Sequence, residues 1–431
     1  MARAYGRIFG AIALSVPMAC VVIDPDAQLC AVGAAGCACT LGGSCDVGLE
    51  CREDKCVDPD APASTGSEAA SSESASESSE GNPSETSEGS TSDTTPSGDA
   101  NIVFVTSSLH TGGSLGGLEG ADAICQARAD AAGLAGTYVA WLSAPGQNAR
   151  DRIGSARGWV RSDGRPFAQD LAQVQSGRFY YPPITDENGT AIAVPDFAWT
   201  GTVDDGTGME LDEYGVCSGW TVDEPMGFAI IGDLGAGPGW WTAYGSQPCT
   251  GMARLMCFGI DNQADVAFTP TEGRAAFVTA GFVATTGGRP AADALCQSEA
   301  SAAGLDGSFL ALLGTNAEAP ASRFDAAGEP WVRDDGVPIF EDGAAFGITM
   351  ATPIVYDAQG GTGVLAIAWA GTYDVTMPGT DAETCTDWTS ESGFAVMFST
   401  IHAHWQAWTI DGHSTTQECA QGGYPVLCLE E

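Results

Sequence analysis

CQARADAAGLAGTYVAWLSA occupies residues 125–144, and CQSEASAAGLDGSFLALLGT occupies residues 296–315. One pattern is written twice, each time from a cysteine, and its physical reading decides the fold. Glu119 in the first copy and Pro290 in the second stand where a helix would begin. A negative charge suits that end of the helix, and a missing N–H costs nothing there. Asp122 and Asp293, in the same first turn, fit for the same reason. Ala121, Ile124, Cys125 and Ala132 fall at helical spacing and predict an apolar stripe that carries the cysteine inward. Gly133 and Gly304 predict the helix stop, with Leu134 and Leu305 folding back over it. YVAWL and FLALL then read as core strands.

The duplication continues to the end of the chain. Phe104-Val-Thr106 matches Phe277-Val-Thr279, and residues 158–166 match 330–338. Trp199-Thr-Gly-Thr202 matches Trp369-Ala-Gly-Thr372, and CSGWT at 217–221 matches CTDWT at 385–389. Each copy holds four cysteines in the same order: Cys125, Cys217, Cys249 and Cys257, then Cys296, Cys385, Cys419 and Cys428. Between them run short apolar segments split by Gly, Pro, Asn and Asp, which predicts an α+β fold in each copy. Spacing alone leaves three disulfide connectivities open per copy.

The 431 residues carry 56 acidic and 16 basic side chains, a formal net charge of −40, and Lys55 is the one lysine. Such a surface repels nucleic acid, heparin-like polyanions and anionic lipid headgroups, so those classes of partner are excluded. Fifteen cysteines predict an oxidising compartment. Arg3, Arg7 and the apolar run at 8–19 read as a signal peptide over 1–19, and Ala19-Cys20 resembles a lipoprotein cleavage site with Cys20 as the lipidated residue. Plain export is the alternative, since Pro17 stands where that signal usually has an aliphatic residue. A lipid on Cys20 would be the membrane contact.

Residues 20–57 form a cysteine-rich module, with Cys30, Cys37, Cys39, Cys45, Cys51 and Cys56 as three expected disulfides of open pairing. A zinc site is the sharper alternative, but zinc modules belong mostly to reducing compartments. From 58 to 100 there are ten acids and no base among Ser, Thr, Gly and Pro, the composition of a disordered stalk. The two copies then span 101–259 and 273–431.

GLAGTYVAWLS, WTGT, the Cys-x-x-Trp-Thr, and the closing RLMC (254–257) or VLCLEE (426–431) together resemble endostatin. They are also similar to the secreted domains of unknown function in leptospiral and myxobacterial surface proteins. The resemblance covers both copies end to end. It implies two tandem C-type-lectin-like (endostatin-like) domains with nested disulfides, Cys125 to Cys257 around Cys217 to Cys249 and Cys296 to Cys428 around Cys385 to Cys419. It carries over neither heparin binding, which needs a basic face, nor endostatin's zinc ligands.

Chemistry-bearing residues are few. Asp204, Asp205, Glu210 and Asp212 could offer oxygens to calcium, the one cofactor to test, but they match no EF-hand spacing. Glu224-Pro225 lacks the Asn of the sugar-binding lectin triplet and has no counterpart in the second copy. His402-x-His404 on a strand would aim both rings to one face as a metal pair, although surface histidines are the commoner outcome. Gly112-Gly-Ser114-Leu-Gly116 matches a nucleophile elbow, but no histidine follows it in the first copy. Trp199, Trp220, Trp369 and Trp388 recur and read as core. Trp240, Trp241, Trp405 and Trp408 cluster by the third cysteine of each copy and read as a sugar-stacking surface. These observations predict a non-enzymatic binding or adhesion protein, exported to the outer membrane or the extracellular space, with a protein or glycan ligand. A calcium-dependent lectin is the alternative, and an exported enzyme a second one.

Overall fold

The structure is a computed structural model that describes residues 50–52, 55–57, 100–208, 216–223, 227–340, 345–347, 350–362, 367–403, 416–421 and 423–431. Cys20, Glu210, Asp212, His404, Trp405, Trp408 and the Glu224-Pro225 pair lie outside the described residues. The chain divides into two units, Met1–Gly89 and Ser90–Glu431, and both copies fall in the second. In the first unit the strands Glu50–Arg52 and Lys55–Val57 pair antiparallel, with Cys51 opposite Cys56. No helix among the described residues is long and apolar enough to cross a membrane.

Each copy is a mixed α/β body. Its helices, Gly117–Ala132 and Gly288–Ala303, follow the pattern expected from the repeated phrase. Gly133 and Gly304 close them in left-handed conformations at φ +71° and +77°. Leu134 and Leu305 bond back to the carbonyls of Ala129 and Ala300 at 2.9 Å, which fixes the fold-back. The buried stripe is Ala121, Cys125 and Ala129, repeated as Ala292, Cys296 and Ala300. Ala132 shares that face but is only half-buried, as the last residue of the helix. The second helix begins at Gly288, two residues before Pro290, which still lies in the first turn where its ring breaks no bond.

The first copy has one nine-stranded sheet whose centre is Met252–Gly259. That strand takes Asn101–Val105 and Tyr138–Ala140 as antiparallel partners and Phe197–Trp199 as a parallel one. In the second copy Leu427–Glu430 has the central place, between Arg274–Val278 and Phe309–Ala311. The register is conserved: Phe104 stands opposite Cys257, and Phe277 opposite Cys428. Ile367–Trp369, Phe394–Ser399 and Thr416–Glu418 form a separate sheet there, joined to the first by a parallel bridge from Trp369 to Val426.

Among the described residues four disulfides are present, nested in pairs within each copy. Cys125–Cys257 and Cys296–Cys428 each span 132 residues, while Cys217–Cys249 and Cys385–Cys419 span 32 and 34. On a chain-entropy estimate, loops of these sizes stabilise by about 5 and about 4 kcal/mol each. The bonds fit an oxidising environment.

Candidate functional site

The repeated polar residues are consumed inside the scaffold. Asp122 and Asp293 lie beyond the first turn of their helices rather than in it, since the helices begin at Gly117 and Gly288. The Asp122 Oδ1 accepts the Ala140 amide at 2.9 Å, and its carboxylate pairs with Arg152 at 2.5 Å. Asp293 repeats this with the Ala311 amide at 2.9 Å and Arg323 at 2.8 Å. Gln126 accepts from the Tyr138 amide at 3.0 Å, and Gln297 from the Phe309 amide at 3.0 Å. The helix is thereby tied to its core strand, and of these side chains Gln126, Gln297, Arg152 and Arg323 were passed over by sequence reasoning. Their recurrence, with Arg152 and Arg323 at matched positions, is the signal that would have found them.

The recurring tryptophans follow the same rule. All are buried, and each donates its ring N–H to a carbonyl: Trp199 to His110 and Trp369 to Val283, Trp220 to Ser143 and Trp388 to Gly314. Gly201 and Gly371 sit under these rings. A Cβ on either would lie 2.6 or 2.7 Å from the indole of Trp220 or Trp388, which explains the glycine after Trp199 and Trp369. The inner disulfide begins at a left-handed turn. Cys217, Ser218, Gly219 and Trp220 have φ between 49° and 68°, and Cys385, Thr386, Asp387 and Trp388 between 50° and 61°.

Trp241 is not a ligand surface. It is fully buried, packed 5.2 Å from Trp141 and against Phe167 and Phe179, because the chain after Asp233 turns it into the first copy's second core layer. Trp240 packs instead on Val355, Tyr356 and Ile401 of the second copy. Asp204 lies beside Gly239. Asp205 pairs with Arg150 at 2.7 Å and accepts the amide and hydroxyl of Thr207. The Thr207 hydroxyl holds the Asp205 carboxyl below its ordinary range. Among the described residues no three His, Cys, Asp or Glu side chains converge in a metal-binding group. Ser114 donates to Asp223 at 2.6 Å, while His110 contacts Ser108 at 2.7 Å, so the elbow serine and the nearest histidine face different partners.

His402 is neither a surface residue nor a strand residue. It is 1% exposed, in a seam between the copies. Gly237 donates to the Ile401 carbonyl at 2.7 Å and Ala403 to the Gly235 carbonyl at 3.0 Å, with Ala236 opposite His402. Ala236 and His402 are aligned positions of the repeat, so the seam is locally self-complementary. His402 Nδ1 meets the Ser399 hydroxyl at 2.5 Å, and its Nε2 meets the fully buried Asp233 carboxylate at 3.1 Å. Beside it, Tyr356 lies between Arg178 and Arg333, at 4.5 and 5.0 Å from ring centre to guanidinium, and donates to the Gly177 carbonyl. Burial pushes the Tyr356 phenol up.

Large apolar side chains are left to solvent at aligned positions of both copies. Phe228 and Phe394, at aligned positions, are each 49% exposed, and aligned Leu109 and Phe282 are 44% and 58% exposed. Phe228 follows Gly227, whose carbonyl accepts from Cys249 at 2.9 Å. Phe394 follows Gly393, which accepts from Cys419 at 3.0 Å. Leu109 leads into the His110–Thr111 strand that pairs with Met252 and Ala253, and Phe282 precedes Val283, bridged to Tyr424. In each copy an exposed phenylalanine, Phe228 or Phe394, therefore follows the glycine that binds a cysteine of the inner disulfide. No family model matches the chain, and no curated protein matches it.

Proposed function

We propose that the protein is an exported, non-enzymatic binding protein whose two lectin-like copies engage an extracellular protein through the apolar faces at their inner disulfides. One observation carries this reading: Leu109 with Phe228, and Phe282 with Phe394, are exposed at the same positions in both copies. An exposed apolar side chain is ordinary on its own, but the same pair kept open twice beside a rigid crosslink is a surface available to a partner. The repeated tryptophans, aspartates and glutamines point inward and support the same division between scaffold and surface. The cysteine module and stalk ahead of the copies fit a display role, with Cys20 as the proposed anchor.

The test applies the full chain and the Phe228→Ser/Phe394→Ser variant to arrays of extracellular proteins and of glycans, with and without EDTA. Binding on the protein array, retained in EDTA and lost in the variant, is expected. Equal binding by both proteins, or binding confined to glycans and abolished by EDTA, overturns the reading.

A further inference from the structure

The second copy is less filled than the first at one place. In the first copy the Trp141 ring is fully buried and donates its N–H to the Thr242 hydroxyl at 2.7 Å. It lies so close to Gly206 that a Cβ there would meet it at 2.8 Å. The Thr242 hydroxyl in turn meets that of Thr202 at 2.5 Å, so ring and hydroxyls close one packed wall. The position aligned with Trp141 is Leu312. The backbone is the same in both: Trp141 donates its amide to the Met256 carbonyl, and Leu312 to the aligned Leu427 carbonyl, each at 2.8 Å. The frame is kept and the ring is gone.

A pocket opens at that place. Its empty space is about 320 Å³, part of it continuous with solvent, and its walls include Leu312, Pro320, Val375, Met397, Phe398 and Leu427. It lies between the two sheets of the second copy, with Leu427 from one and Met397 and Phe398 from the other. Leu312, Pro320 and Leu427 are the counterparts of Trp141, Ala149 and Met256, which share one buried cluster in the first copy. The pocket is therefore the place where the first copy seats its own indole. Its chemistry narrows the occupant. Thr372 is its one polar side chain among the described residues, and that hydroxyl donates to the Asp374 carbonyl at 3.0 Å and accepts the Asp374 amide at 3.2 Å. It is satisfied inside its own loop, so a charge entering the pocket would be buried without a partner, at high cost. Apolar cavities take apolar molecules in preference to water. The Met397 thioether and the Phe398 ring both favour an aromatic neighbour, through sulfur–ring and ring–ring contacts. Leu312 still fills part of the room, so a single six-membered ring suits it better than an indole.

We propose that the second copy binds a neutral, single-ring aromatic compound beside Leu312, Met397 and Phe398, in the place that Trp141 fills in the first copy. The first copy supplies its own ring and has no such vacancy at Trp141, so one chain holds one molecule. The site is separate from the exposed phenylalanines that carry the binding reading above.

The probe is toluene, titrated calorimetrically into the full chain. One molecule per chain is expected, and NMR of the methyl-labelled protein should show contacts from the ring protons to the Met397 and Val375 methyls. Leu312→Trp writes the first copy's residue into the pocket and should abolish binding, with a melting curve to check that the variant folds. Benzoate and benzylamine, which add a charge to a ring of the same size, should bind at least about tenfold more weakly. No binding of toluene, ring contacts confined to other methyls, wild-type binding by a folded Leu312→Trp, or benzoate bound as tightly as toluene each overturns the proposal. The NMR contacts are read on the wild type, so they decide the question even where Leu312→Trp does not fold. The array result is separate: neither Phe228 nor Phe394 lines the pocket, so failure of toluene binding leaves the protein-binding function standing.

Discussion

The two copies solve one packing problem with different side chains. Around the central strand the first copy uses Trp141, Ile153 and Phe258, and the aligned places in the second hold Leu312, Phe324 and Leu429. Trp141 packs on Trp241 and Phe258 and gives its N–H to Thr242, while Phe324 packs on Trp331 and Phe346. The large ring has moved from one wall of the core to the other. What has not moved is the polar frame: the Asp–Arg pair, the Gln brace, the four indole N–H bonds and both disulfides. Core volume is interchangeable as long as the total is kept, whereas a buried polar group has one set of partners and holds its place.

The largest test of this contrast is the frame. Asp122→Ala and Asp293→Ala each strand a buried guanidinium and a strand amide, and each should lose about 3 kcal/mol. Denaturant unfolding that shows losses differing by more than about 1 kcal/mol would mean the frame is not shared. A smaller effect is expected in the core. Trp141→Leu writes the second copy's residue into the first, yet it should cost about 2–3 kcal/mol, because Ile153 and Phe258 are not changed with it and Thr242 loses its donor. A loss under about 0.5 kcal/mol would show the two cores to be interchangeable residue by residue.

The smallest effect lies in the left-handed turn, where the copies differ at Ser218/Thr386 and at Gly219/Asp387. Gly219 in the first is Asp387 in the second. Asp387 accepts the Asn316 amide at 2.6 Å, and the position aligned with Asn316 in the first copy is Pro145, which has no amide hydrogen to give. Glycine stands where the compensating bond cannot form. A Cβ on Gly219 would touch nothing within 4 Å, so Gly219→Asp should cost only the backbone term, about 1 kcal/mol. A neutral result in thermal unfolding would show that the turn is unstrained.

How much of this is legible in the sequence depends on range. The helix, its glycine stop and the strand after it are set by residues within about ten positions of one another, and their periodicity shows them. The nesting of the disulfides is not, since the cysteine spacing admits three pairings and only the resemblance selects one. The left-handed turn is hidden because Cys217, Ser218, Thr386 and Trp388 carry no mark of positive φ. Trp241 and His402 misread most clearly. Two adjacent tryptophans and a His-x-His pair look like surface chemistry until the pairing of residues 235–237 with 401–403 is known, and that pairing depends on how one copy meets the other.

The seam between aligned segments has the form of a homodimer contact enclosed in one chain. Two separate copies would meet through it only at sufficient concentration, and dilution would part them. Covalent tethering by residues 260–272 replaces that concentration with a fixed local one, so the pair should stay assembled in dilute surroundings where a dimer of the same surface would dissociate.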